Sequence, residues 1–344
     1  YSDPKDVKLT GQVFAYEFAE DGTTINVKYT YYASGNLESK TLNTADADGN
    51  KYYHFIDNAS GLMDKKVMAV SDATGSIAYD YTYYAGTNKY QVVNGYAIAD
   101  YTDPKNPSFT RKLRTYEYAS DGITVETKYT YYNNADNRLE SKTMATADAD
   151  GNKYYHFTDD ALHLLDKKVM AASDATGSMG YAYEYWAGTD KYKKVTGYAS
   201  CDYADASNVI MTKPMIAYEY AADGTTITAK FTYYYESELI ESATYNTADA
   251  FGNVYYHYTN ENYNSQGFGL VDKQVLASAD AEGAIAYYYE YWAGTNKVMK
   301  KVGYSSADYS DPKDAKLTGQ VFVYEFAEDG TTINVKYTYY ASGN

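Results

Sequence analysis

Residues 23–32 read TTINVKYTYY, and this stretch decides the fold. Ile25, Val27, Tyr29 and Tyr31 alternate with Asn26, Lys28 and Thr30, the period of two that sends successive side chains to opposite faces of a β-strand. Its counterparts further on are Val125, Thr127, Tyr129 and Tyr131, then Ile227, Ala229, Phe231 and Tyr233. A second run sets Ile77, Tyr79, Tyr81 and Tyr83 against Ala78, Asp80 and Thr82. Helical spacing is confined to ALHLLDKKVMAA at 161–172, which aligns with strand-like neighbours and is assigned to strand as well. Asp-Gly, Ser-Gly, Thr-Gly and Asn-Gly pairs between the runs offer the positive-φ positions that tight hairpins need. The expected class is all-β, built from tandem hairpins.

Working outward, the same ordered words recur from Tyr1, Tyr101, Tyr203 and Tyr309. This predicts repeat units at 1–100, 101–202 and 203–308, with 309–344 opening the next period. Residues 309–344 repeat 1–36 with two changes, Val7 to Ala315 and Ala15 to Val323. Such a chain reads as part of a longer array. Gly22, Gly49, Gly75 and Gly95 mark the expected turns of the first unit, followed by Gly122, Gly151, Gly177 and Gly197. Gly224, Gly252, Gly283 and Gly303 mark those of the third, and Gly330 reopens the series. Length differences fall in loops, notably NENYNSQGFG at 260–269, as repeat scaffolds absorb insertions.

Tyrosine is the compositional outlier, 47 residues against 10 Phe and 2 Trp, which suits half-buried extended surfaces. A net charge of −16 argues against nucleic-acid binding and for a self-repelling, soluble assembly. No apolar run is long enough for a membrane span, and YSDPKDVKL carries no signal-peptide pattern. Cys201 is the single cysteine, with Ile98 and Ser306 taken as the matching positions, so no disulfide framework is expected.

Tyr16-Glu17-Phe18…Gly22 and Tyr29-Thr30-Tyr31…Gly35-Asn36-Leu37 resemble the YD repeats of Rhs-type and wall-associated bacterial surface proteins, whose pattern runs Tyr-x-Tyr-Asp-x-x-Gly-Asn/Arg-Leu. The family's aspartate is replaced, with Ala19, Tyr32 and Tyr84 near its place, and the YYAGT copies carry their glycine one residue early. The resemblance implies long strands spiralling into a β-solenoid-like or tubular wall on secreted or cell-surface proteins. In Rhs-type shells that wall closes around a toxin cargo.

The TADADGN words place Asp46 and Asp48, then Asp148 and Asp150, before glycine, a pattern shared by calcium loops and by Asp-Gly hairpin turns. Phe251 replaces the second aspartate in the third copy, which favours the turn. His54, His156 and His257 recur without nearby Cys or His to complete a metal shell, and His163 has no counterpart. Tyr84, Trp186 and Trp292 share one aromatic slot beside a turn. No nucleophile elbow, phosphate-binding loop, zinc motif or dinucleotide fingerprint is present, so neither catalysis nor a cofactor is expected. The expectation is a structural repeat protein of an extracellular bacterial filament, tube or sheath, self-associating into a periodic polymer. Two rivals are a surface adhesin that grips polysaccharide through its aromatic slots and an Rhs-like shell around a toxin.

Overall fold

A computed structural model describes residues 11–260 and 269–340; Tyr1, Val7, Asn344 and the body of the 260–269 insertion lie outside them. The described residues form twenty-three strands and no helix, as the alternating runs predict. Two compact units divide at His163 and Leu164. In the first unit the strands are β1 (Phe14–Phe18), β2 (Ile25–Tyr31), β3 (Leu37–Leu42), β4 (Asn50–Phe55), β5 (Met63–Met68) and β6 (Ala78–Tyr83). They continue with β7 (Tyr90–Asp100), β8 (Ser108–Tyr118), β9 (Val125–Tyr131), β10 (Leu139–Met144) and β11 (Asn152–Phe157). Each pairs antiparallel with the strand before it, an up-and-down meander.

The second unit holds β12 (Leu165–Met170), β13 (Gly180–Tyr185), β14 (Tyr192–Asp202), β15 (Ile210–Tyr220), β16 (Ile227–Tyr233) and β17 (Ile240–Tyr245). It goes on through β18 (Asn253–Tyr258), β19 (Val271–Leu276), β20 (Ala286–Tyr291), β21 (Val298–Asp308), β22 (Lys316–Phe326) and β23 (Ile333–Thr338), again pairing in sequence. Residues 161–172, ambiguous in sequence, contribute β12.

Seven strands fall to each sequence repeat, β1–β7, β8–β14 and β15–β21, and the two strands that meet at each junction are long. In β7 and β8, Tyr90–Tyr96 pair with β6 and Arg114–Tyr118 with β9, while the outer halves pair with each other. A register shift between Gly95 and Tyr96 separates the two halves. The outer hairpin lies back over the sheet as a flap: Ala99, Tyr101 and Phe109 pack on Tyr52, Val67 and Ala78, which are at most 1% exposed. Tyr52 Oη donates to Pro104 O at 2.7 Å and Lys105 pairs with Glu38 at 3.0 Å, tying the flap tip down. The third repeat repeats the device, with Tyr255 Oη on Pro312 O at 2.8 Å and Lys313 on Glu241 at 3.0 Å.

Seven is odd, and this fixes the faces. Directly opposed residues of an antiparallel pair share a face. The face of Tyr52 passes through Val67 and Ala78 to Asp80, then through Asn94, Thr115, Tyr129 and Lys142 to Tyr155. The counterpart of Tyr52 is Tyr154, which therefore points the other way. In the second unit the face of Gly180 and Ala182 runs through Thr196, Ala217, Phe231, Ala243, Tyr256 and Gln274 to Tyr287, while Ala286, the counterpart of Gly180, is on the reverse. Equivalent residues alternate between the two faces from one repeat to the next.

Ten of the thirteen expected turn glycines take the left-handed backbone of a turn. Gly22, Gly49, Gly75, Gly122, Gly151, Gly177, Gly224, Gly252, Gly283 and Gly330 have φ between 67° and 84°. Within their hairpins Gly49 and Gly75 stand at the closing end of the turn, Gly49 directly before β4 and Gly75 three residues before β6. The other three, Gly95, Gly197 and Gly303, are not turns; they sit inside β7, β14 and β21. What they provide is room. A Cβ on Gly95 would lie 2.6 Å from Ser76 Oγ and 3.0 Å from the ring of the opposed Tyr79, and one on Gly303 would lie 2.6 Å from the ring of Phe322. A cross-strand ring covering a strand glycine restores the packing that the missing side chain removes. The registers also move the match of the cysteine by one residue. Cys201 opposes Met211 as Ala99 opposes Phe109 and Ala307 opposes Leu317, so Ala99 and Ala307 are its counterparts, in place of Ile98 and Ser306.

Candidate functional site

The feature that recurs most is a hairpin cap made by an aspartate and a tyrosine seven residues on. Asp46 Oδ1 accepts the N–H of Asp48 (3.1 Å) and Asn50 (2.9 Å), and its Oδ2 accepts Tyr53 Oη–H at 2.5 Å. Asp148 with Tyr155 (2.5 Å) and Asp249 with Tyr256 (2.6 Å) repeat it. Asp72 with Tyr79, Asp174 with Tyr181 and Asp280 with Tyr287 build the same cap on the next hairpin. The glycine three residues after each aspartate supplies the left-handed position, and its N–H returns to the aspartate carbonyl: Gly49 to Asp46 O and Gly75 to Asp72 O, both at 3.0 Å. The sequence signal is Asp-x-x-Gly-x-x-x-Tyr, spacing that the turn glycines alone do not reveal. Burial and then the bond to the carboxylate push the Tyr53 and Tyr155 phenols up to about 12, and the phenol bond leads the causes that lower Asp46 and Asp148.

A second cap closes the hairpins after β1, β8, β15 and β22. Asp21 accepts the N–H of Thr23 and Thr24, both at 2.8 Å, and the hydroxyl of Thr24 at 2.5 Å. Asp121, Asp223 and Asp329 do the same. The Thr hydroxyl, followed by the backbone donors, holds each of these carboxyls at about 2.

The calcium candidates belong to the first kind of cap. Asp46 and Asp148 accept their three hydrogen bonds inside the turn, and among the described residues no group of three or more His, Cys, Asp or Glu side chains is arranged to hold a metal. The side-chain oxygens of Asn50, Asn152 and Asn253 are buried without a protein partner in all three copies. The third copy has Phe251, 84% exposed, in place of the second aspartate, so this feature does not follow the acidic pair.

The aromatic slot ties strands together. Tyr84 Oη donates to Tyr118 O at 2.6 Å, Trp186 Nε1 to Ala221 O at 3.0 Å and Trp292 Nε1 to Ala327 O at 3.0 Å. All three rings are half-buried. Trp186 and Trp292 follow β13 and β20, whose equivalent residues alternate in face, so they do not form one row. Other phenols act similarly: Tyr32 donates to Phe55 O, Tyr83 to Met63 O, and Tyr291 to Val271 O. A buried ring whose hydroxyl reaches a loose carbonyl explains why tyrosine outnumbers phenylalanine here.

His54 Nδ1 and Asp64 Oδ1 are 2.6 Å apart, as are His257 and Asp272. Ser39 lies directly opposite His54, giving the residue types of a hydrolytic relay. Ser39 is fully buried, however, and its hydroxyl bonds Thr30 Oγ1 at 2.6 Å. The serine is inaccessible to a substrate, and the histidine is a buried strand-face residue. Asp64 and Tyr84 line an open groove of about 410 Å³ with Tyr83, and Asp272, Tyr291 and Trp292 line its counterpart of about 430 Å³. His163, which has no counterpart in the other repeats, takes a left-handed turn at φ 50°, stacks on Phe157 at 5.1 Å and bonds Leu139 O through Nε2 at 2.6 Å. The Cys201 thiol is half-buried, and burial pushes it up to about 11.

No family model and no curated protein matches the chain. Solved structures to which it is similar include TcdB2-TccC3-TEV, at 11% identity over 93% of this chain and 17% of that one, TM-score 0.18. Others are the Photorhabdus luminescens Tc holotoxin pore (9% identity, 95% and 18% covered, TM-score 0.16) and a porin-like protein from Bacteroides uniformis (10%, 89% and 93%, TM-score 0.13). The chain spans under a fifth of the length of those Tc toxin chains. Likeness at these TM-scores assigns neither architecture nor activity to this chain. Among the described residues no helix is long and apolar enough to cross a membrane.

Proposed function

We propose that this chain is an architectural repeat protein, a β-ribbon segment of an extracellular bacterial filament, without catalytic activity. The observation that carries this reading is the use of its chemistry-bearing side chains as internal ties. The capping aspartates, the slot aromatics at 84, 186 and 292, and the paired histidines His54 and His257 each bond within the chain. The YD-repeat resemblance supports the extracellular or cell-surface setting.

Face alternation bears on the rival readings. A container needs an inside that differs from its outside, whereas seven-strand repeats present each feature to both faces in turn. An adhesin gripping polysaccharide needs its aromatic slots in one exposed row, whereas Trp186 and Trp292 are half-buried, on opposite faces, and bonded through their indole nitrogens. The test is electron imaging of the native material with a helical power spectrum. Fibres with a fixed axial repeat are expected, and discrete closed particles of limited length would overturn the proposal.

A further inference from the structure

Two of the three repeat junctions carry a tyrosine pair in one fixed geometry, and the third lacks it. Tyr90 opens β7 directly opposite Tyr83 of β6, with ring centroids 5.3 Å apart and planes inclined by 31°. Tyr192 opens β14 opposite Tyr185 of β13 with the same 5.3 Å and 31°. The flanking ring is copied too: Tyr118 lies 6.0 Å from Tyr90, and Tyr220 lies 5.9 Å from Tyr192. At the third junction Val298 stands opposite Tyr291, and Phe326 replaces the flanking tyrosine. The first ring is anchored alike in all three, since Tyr83, Tyr185 and Tyr291 donate to Met63 O, Leu165 O and Val271 O at 2.5 Å. Filling space at the second position does not require a phenol, because valine serves there in the third repeat. Tyr192 is 37% exposed and Tyr90 half-buried, so both rings meet solvent.

We propose that Tyr83 with Tyr90, and Tyr185 with Tyr192, are sites of oxidative phenol coupling that staple each hairpin with a dityrosine bond. One hydrogen atom leaves each phenol, and the two radicals join carbon to carbon, ortho to the hydroxyls. The ring hydrogens displaced at the new bond return to the phenol oxygens and restore both aromatic rings. The oxidant is hydrogen peroxide used by a peroxidase: each peroxide takes up the two hydrogen atoms and becomes two waters. Holding the rings side by side replaces a chance meeting of radicals with one inside the hairpin. Cys201 is the single cysteine, so no disulfide within residues 1–344 ties these hairpins. Tyr52 with Tyr101 and Tyr255 with Tyr309 are equally close at 5.3 Å, but Tyr52 and Tyr255 are fully buried and out of an oxidant's reach. The inference stands apart from the filament reading, because both rings of each pair belong to one hairpin.

The test treats the folded full chain, at high dilution, with a peroxidase and hydrogen peroxide, followed by trypsin and mass spectrometry. Cleavage after Lys89 and Lys191 separates the partners, so each linked pair appears as two peptides joined with the loss of two hydrogens. Links are expected from Tyr83 to Tyr90 and from Tyr185 to Tyr192. Tyr90→Phe combined with Tyr192→Phe keeps both rings and should lower dityrosine fluorescence about fivefold or more. Val298→Tyr should install a third link, from Tyr291, where the unaltered chain forms none. Unchanged fluorescence in the double phenylalanine variant, links scattered over other tyrosines, or links only between chains would overturn the proposal. So would a folded Val298→Tyr chain that gains no link. Electron imaging of the untreated chain reads the filament proposal separately.

Discussion

Gly180 and Cys201 show at the residue scale how one repeat differs from its neighbours without a change of backbone. The corresponding pairs are Ala78 with Ala99 and Ala286 with Ala307. A Cβ on Gly180 would lie 2.6 Å from Cys201 Sγ and 2.7 Å from Lys168 O, so the larger sulfur is accommodated by deleting a methyl across the contact. Gly180→Ala alone should therefore destabilise by about 1–3 kcal/mol through overpacking. Cys201→Ala alone should cost less, and the double variant should recover the part of the loss owed to the sulfur while the press on Lys168 O remains. Denaturant melts of the four proteins in the double-mutant cycle check this, and additive effects would sink the compensation argument.

At the scale of the element, the long hairpins are the part with a built-in backbone conflict. The fourth residue of β8, Arg111, has φ 55°, and its counterparts are Lys213 at φ 59° and Gly319 at φ 71°. Only the last suits a left-handed position, which costs an L-residue about 1–2 kcal/mol. Arg111 is exposed, so Arg111→Gly should raise stability by about 0.5–1 kcal/mol after the extra chain entropy of glycine is deducted. Gly319→Ala should lower it, because its Cβ presses on Ser305 Oγ. Thermal melts of both check the sign, and two shifts in the same direction would refute the account.

The same hairpins mark where sequence stops being informative. Strands such as β2 are legible because alternation is local, and so are turns such as those of Gly22, Gly49 and Gly75, where an aspartate and a glycine a few residues apart set the backbone. The flap is a tertiary event: nothing local in Tyr96–Asp100 says that these residues fold over Tyr52. Gly95 reads as a turn for the same reason, since the ring that occupies its missing side-chain space comes from β6. The Asp-Tyr caps are written in the Asp-x-x-Gly-x-x-x-Tyr spacing, whereas the complete burial of Ser39 depends on strands that pack over it and has no local signal.

At the scale of the whole molecule, the repeated caps define a pH window. Tyr53 and Tyr155 are raised above the ordinary phenol value of 10.0, so their contribution is complete below that pH and lost as pH climbs through about 12. Asp21, Asp121, Asp223 and Asp329 are depressed from 3.8 to about 2, so their contribution is complete above 3.8 and lost as pH falls through about 2. Melting temperature followed from about pH 2 to about pH 12 should show a broad plateau with steep losses at both ends. A decline beginning near neutrality would contradict the assignment. The odd strand number has a consequence for how such an array lengthens and shortens. Recombination between similar repeats removes or inserts one unit at a time, and each such event turns every downstream unit over relative to what precedes it. A feature peculiar to one repeat, such as the Cys201 thiol, then emerges on the opposite side, whereas gain or loss of repeats in pairs leaves its side unchanged. Parity, as well as length, is therefore heritable in a gene of this kind.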